Sequence, residues 1–211
     1  MTLLLYHFIE DQLNEAIFEH KLQLLSAAQR EKIKAFRRWQ DAHCSLWGNL
    51  LLLEGLKEFG VTASLQNISY SQYGKPYLPD CSIAFNISHA GNCVVCVLST
   101  ESQAIGIDVE AINDLDIHDF KSIWTAQEWQ DISNGGIEVF YRYWTSKEAI
   151  IKADGRGLSM PLDQIEVRQH SGHFQDQVYY LNDVSLHPQY IVRIASLTAL
   201  EEIKLLPVKD Q

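Results

Sequence analysis

The sequence predicts an α+β protein on three observations. Helical hydrophobic spacing runs from about 11 to 60 and returns from 125 to 152, two-residue alternation marks 82–109, and the tail beyond 164 alternates again. With 211 residues the chain is one large domain or two small lobes sharing an interface, and either can bury a real core.

In chain order, a strand is expected over Thr2–Ile9 and a helix from about Asp11 to Leu25. Ser26-Ala27-Ala28-Gln29 has the form of a capping box and opens the next helix, which Ile33 and Phe36 continue. Asp41 restarts a helix carrying Leu46, Trp47, Leu50, Leu51 and Leu53 until Gly60, the longest buried helix expected. Tyr73–Asp80 reads as a loop from its glycine and two prolines, and strands near 82–88, 92–99 and 103–109 follow. The first two strands join through Ala90-Gly91 as a hairpin, leaving Ser88 and His89 at a strand end. Thr125–Glu128 is a second capping box, opening a short helix that ends before Asn134-Gly135-Gly136. Beyond the next helix, strands are expected at 164–169, 174–180 and 190–195.

A net charge of −10 argues against general nucleic-acid binding, which needs a basic surface. Basic residues concentrate instead at Arg30, Lys32, Lys34, Arg37 and Arg38, either as an anion pocket or as a solvated helix face. No apolar run approaches membrane-spanning length and no signal peptide opens the chain, so a cytoplasmic protein with no membrane partner is expected. Cys93 and Cys96 sit at an odd spacing in a strand-like run, which sends them to opposite faces as core residues. His170 and His173 have metal-ligand spacing with no second pair nearby and are discounted.

Two stretches carry the chemistry. From Phe140 to Ile151 the apolar positions define one amphipathic helix, and Glu148 and Lys152, one turn apart, share a face. Alone, that pair reads as a surface ion pair, and chemistry needs a partner elsewhere. In the strand Ile105–Glu110, alternation turns Ile105, Ile107 and Val109 inward and puts Gly106, Asp108 and Glu110 on the other face. Two adjacent carboxylates either face water or share a cation, Mg²⁺ being satisfied by one or two carboxylates plus substrate phosphates. Gly106 allows a close approach.

Gly106–Glu110, followed by Trp144-Thr145-Ser146-Lys147-Glu148-Ala149-Ile150-Ile151-Lys152, resembles the two-part signature of the 4′-phosphopantetheinyl transferases, best the longer surfactin-synthetase-activating type. Gln72–Pro76, Phe85–His89 and Gly155–Asp163 extend the match in order, across roughly 26–168. The resemblance implies two similar lobes related by a pseudo-twofold, with the active site at their interface. The lobes would be 1–104, binding the coenzyme A nucleotide, and 105–211, carrying metal and catalytic residues.

The implied reaction moves the 4′-phosphopantetheine arm of coenzyme A to a serine of an apo acyl- or peptidyl-carrier protein, releasing 3′,5′-ADP. Asp108, Glu110 and Glu148 are implied as Mg²⁺ ligands, Glu148 as the base and Lys152 as a phosphate contact, with Lys147 a second candidate for the phosphate. Lys32, Ser45, Lys75, Pro76, Ser88 and His89 match coenzyme-binding positions, Lys75 and Pro76 in a loop that cradles adenine by its backbone. Gln29 and Cys44 depart from the family, which often has Lys and Arg there. A monomer is implied. Ile123, Trp124 and Trp129 are expected either to help dock the carrier or to be core. A metal-dependent nucleotide pyrophosphohydrolase and an inactive coenzyme A-binding protein are the alternatives.

Overall fold

A computed structural model of the chain describes residues 1–61, 65, 68–79 and 81–209, with Leu158 by its backbone alone. Asp80, the last residue of the expected loop, lies outside them. The strands are β1 Thr2–Phe8, β2 Ser69–Tyr70, β3 Pro76–Tyr77, β4 Ala84–Ala90, β5 Cys93–Ser99, β6 Ile105–Ala111, β7 Glu166–Arg168, β8 Ser171–Phe174, β9 Gln177–Val184, β10 Tyr190–Ser196 and β11 Ile203–Pro207. The α-helices are α1 Glu15–Leu22, α2 Ala27–Lys34, α3 Trp39–Glu58 and α4 Ala126–Asp154, with short 3₁₀ turns between.

The chain forms an α+β fold of two large sheets, one ordered β11-β1-β5-β4 and the other β6-β10-β9-β8-β7, beside the two-stranded β2–β3 ribbon. Their inner faces meet in one apolar cluster that includes Leu4, Val95, Val97, Ile105, Ile107, Val109 and Ile194. Each sheet is covered on its outer side by a long helix, α3 against β1, β4 and β5, and α4 against β6 and β10. Alternation in β5 splits its cysteines as expected: Cys93 joins the inter-sheet cluster and Cys96 the α3 side, and both are free thiols.

Both capping boxes form. Ser26 and Gln29 exchange side-chain-to-backbone bonds at α2, and Thr125 and Glu128 do so at α4. The first helix starts later than periodicity suggests, because Asn14 takes the N-cap and accepts from the Ile17 amide. The break expected before Gly135-Gly136 survives as a kink inside α4, where Gly136 adopts φ 73°. The expected loop at 73–80 holds a two-residue strand, β3, paired with β2.

The tail differs from expectation in two ways. The run 174–180 spans a hairpin, with Gln175 at φ 53° between β8 and β9. A further strand, β11, returns to the first sheet and pairs parallel with β1. The expected 105–211 lobe therefore lends its last strand to the other lobe's sheet.

Candidate active site

The site is built where β6, the edge of the second sheet, runs beside β4, the edge of the first. Side chains bridge that junction. The Ile107 amide donates to Asn86 Oδ1 at 2.8 Å. Lys75 Nζ donates to the carbonyls of Ile105 at 3.1 Å and Ala153 at 2.7 Å, tying the start of β6 to the end of α4. That desolvation pulls the Lys75 pKa down to about 8.

Alternation along β6 sends Gly106, Asp108 and Glu110 toward α4. What Gly106 admits is that helix rather than a ligand. A Cβ there would lie 2.2 Å from the Ala149 carbonyl oxygen and 2.3 Å from the Ala153 amide nitrogen. With α4 seated flush, its carboxyl-terminal turns bring Glu148 and Lys152 to the two strand acids. Asp108 is consequently 4% exposed, which leaves out the alternative in which it faces water.

Among the described residues Lys152 does not pair with Glu148, which removes the surface-ion-pair alternative. Lys152 Nζ instead lies 2.6 Å from Asp108 Oδ1 and 2.7 Å from Ser88 Oγ, and the Ser88 hydroxyl donates to the same carboxylate oxygen at 3.0 Å. Among the described residues, nothing makes a hydrogen bond to the buried Asp108 Oδ2. Burial raises the Asp108 pKa against the opposing pull of Lys152. Glu110, which accepts from Trp144 Nε1 at 2.9 Å, is pushed up to about 7 by burial and then by Asp108. Glu148 is raised by burial and again by Asp108.

Three acids that each raise, or are raised by, a neighbour form a pocket of unbalanced negative charge. Such a set takes up protons or a cation. Among the described residues no three His, Cys, Asp or Glu side chains form a group able to hold a metal by themselves. The donor set still fits Mg²⁺, which completes its shell with water and phosphate oxygens rather than a protein cage, and the orphaned Oδ2 of Asp108 is a free oxygen donor.

A second cluster lies alongside. Lys32, Ser45 and His89 line one cavity of about 400 Å³ with Cys44, Asp41 and Asn49. Ser88 and His89 are adjacent in β4 and separate accordingly: His89 faces this cavity, and Ser88 faces Asp108 rather than Lys32. Burial and then Lys152 lower the His89 pKa, so the two clusters lie within electrostatic reach. Gln29 is occupied with its capping box and with Asn49 Oδ1, and Cys44 is buried with its thiol pKa raised. Pro76 sits in the β2–β3 hairpin, where the amide and carbonyl of Lys75 both bond Ser71.

Lys147 corrects the sequence reading. It is fully buried, 2.8 Å from Glu128 Oε2, and donates to the carbonyls of Ile123 and Leu162, each at 2.9 Å. All three of its protons are used, so none is left for a phosphate. Trp124 is likewise core, packed edge-on against Phe140 under the Lys147 ammonium. Trp144 and Asn86, which orient Glu110 and β6, lie inside the matched stretches but carry no spacing signal of their own.

Residues 104–196 match the model of the 4′-phosphopantetheinyl transferase superfamily, and residues 11–102 match that of the 4′-phosphopantetheinyl transferase N-terminal domain. The chain is 34% identical to the 4′-phosphopantetheinyl transferase Sfp of Bacillus subtilis over 77% of its length and 75% of the relative's. It is 33% identical to the 4′-phosphopantetheinyl transferase gsp of Aneurinibacillus migulanus, covering 77% and 70%. It is also 33% identical to the L-aminoadipate-semialdehyde dehydrogenase-phosphopantetheinyl transferase of Schizosaccharomyces pombe, covering 66% and 62%.

Proposed function

The chain belongs to the 4′-phosphopantetheinyl transferase superfamily, and from that membership we propose how its residues divide the reaction. The protein is an enzyme that transfers the 4′-phosphopantetheine arm of coenzyme A to a serine of an apo carrier protein and releases 3′,5′-ADP. Residues 1–104 bind the nucleotide and 105–211 carry the chemistry.

The observation that carries this reading is the convergence of Asp108, Glu110, Glu148 and Lys152 at the lobe junction, beside the cavity of Lys32, Ser45 and His89. Lys32 and His89 supply N–H groups for the 3′-phosphate, Ser45 a hydroxyl, and the backbone around Lys75 and Pro76 a wall for adenine. Asp108 Oδ2 with Glu110 or Glu148 would hold Mg²⁺, its shell completed by water and phosphate oxygens. When bound, the ion supplies charge neutralisation on the coenzyme diphosphate.

Lys152, fixed by Asp108 and Ser88, points an N–H at the phosphoryl oxygens. Glu148 takes the proton from the carrier serine hydroxyl, directly or through one water. The serine oxygen then forms the new bond to phosphorus as the bond to the 3′,5′-ADP oxygen breaks, so positioning and electrostatics supply most of the acceleration. One chain supplies both halves of this site, which supports a monomer. Action on coenzyme A and carrier proteins supports a cytoplasmic setting, and no helix among the described residues is long and apolar enough to cross a membrane.

Mass spectrometry of apo-carriers after incubation with the protein, coenzyme A and Mg²⁺ tests the reading. The carrier gains one phosphopantetheine arm, with 3′,5′-ADP released in equal amount only when carrier is present. Release without carrier would mark a hydrolase, and coenzyme A retained unchanged would mark a binding protein.

A further inference from the structure

We propose that the cavity between α4, β7, β9 and β10 is a second ligand site, for a small organic carboxylate with an apolar body. It encloses about 510 Å³, within the usual span of small-molecule pockets, roughly 300–1,000 Å³. None of Asp108, Glu110, Glu148 or Lys152 lines it, although Arg193 is the cross-strand partner of Asp108, and the site does not rest on the transferase reading.

Its anchor is Arg193, 4% exposed and among the cavity's lining residues. Asp183 Oδ1 lies 2.9 Å from Arg193 Nε, yet neither Nε nor Nη1 makes a hydrogen bond among the described residues. A guanidinium carries five N–H donors, and burying it with donors unused is costly unless a further acceptor arrives. Its one acidic partner is itself 47% exposed, which weakens the pairing.

Two more guanidinium groups line the same space. Arg168 reaches its nearest acid, Glu166, only at 3.8 Å, and Arg142 meets Glu138 at 3.3 Å on the solvent side. The lining acids are Asp183 and Asp131, and the oxygens of Asp131 are taken up by Gln127 and Tyr143. Asp183, Glu166 and Glu138 stand beside the three guanidinium groups, so there is no surplus of positive charge for a divalent phosphate to meet, and the anion that the unused Arg193 donors hold at least electrostatic cost is a singly charged carboxylate. Val139, Val167 and the Tyr143 ring form apolar walls for the body of the ligand.

Isothermal titration of the full chain with hexanoate, 1-hexanol and inorganic phosphate tests this. Hexanoate should bind saturably, one per chain, and 1-hexanol and phosphate at least about tenfold more weakly. Arg193→Leu should abolish hexanoate binding. Arg168→Ala, at an exposed position where folding is not at risk, should weaken it about tenfold. Absence of hexanoate binding to the parent would overturn the proposal. So would binding unchanged in Arg168→Ala, or phosphate or 1-hexanol binding as tightly as hexanoate.

Discussion

Two lysine–acid pairs hang from one helix, five positions apart, and their environments separate structure from chemistry. Lys147 with Glu128 is sealed at 0% and 2% side-chain exposure, and its three protons go to Glu128, Ile123 and Leu162. Lys152 with Asp108 keeps 28% exposure on the lysine, and the named partners Asp108 and Ser88 use two of its three protons. Burial lowers the Lys147 pKa despite Glu128, the mark of an ammonium held for architecture against its own desolvation. The difference teaches that a lysine in a signature helix can serve a phosphate only where it retains a donor and a path to solvent.

The largest expected effect comes from Lys147→Met. It strands Glu128, whose other oxygen holds the Val167 amide, and should cost about 3–5 kcal/mol in urea unfolding. Adding Glu128→Gln should recover part of that loss; no recovery would mean the pair is not what Lys147 supports. Lys152→Ala should reverse the pattern, leaving the unfolding midpoint close to the parent's while kcat falls by about 10²–10³-fold. If Lys147→Met is harmless to folding, or Lys152→Ala unfolds the protein, the contrast collapses.

Gly106→Ala tests the seat on which both pairs depend. Overlap with the α4 backbone should lower stability by about 1–3 kcal/mol and reduce transfer as well, read from thermal melts and initial rates. The smallest effect is one of pH. Glu110 binds its proton more tightly in the folded protein, with a pKa near 7 against an ordinary 4.5. Metal-free stability should therefore fall as pH rises through that window and level off above it, while Mg²⁺ affinity rises over the same range. Glu110→Gln should flatten both curves; unaltered curves would remove Glu110 from the acid cluster.

Much of this was readable from local pattern. Alternation in Ile105–Glu110 assigns faces correctly because a strand permits only two, and the capping boxes at Ser26 and Thr125 form because each is closed within four residues. The helical spacing at Glu148 and Lys152 is also right. What it cannot convey is which long-range partner wins. Lys152 turns to Asp108, forty-four residues earlier in the chain, and Lys147 to Glu128 because that face of α4 is buried under the segments that carry Ile123 and Leu162. Gly106 reads only as room for a close approach until the helix is seen lying on it. The parallel strand β11 escapes notice because its residues pair with β1, some two hundred positions away, and Leu205 and Lys204 face solvent without clean alternation.

A crystal structure of the protein with coenzyme A and Mg²⁺ bears most directly on the shared metal and diphosphate. The ion should bond to Asp108 Oδ2 with Glu110 or Glu148 and bridge to the diphosphate, while Lys152 Nζ contacts a phosphoryl oxygen. An ion bound away from these acids, or a diphosphate with Lys152 turned aside, would contradict the account.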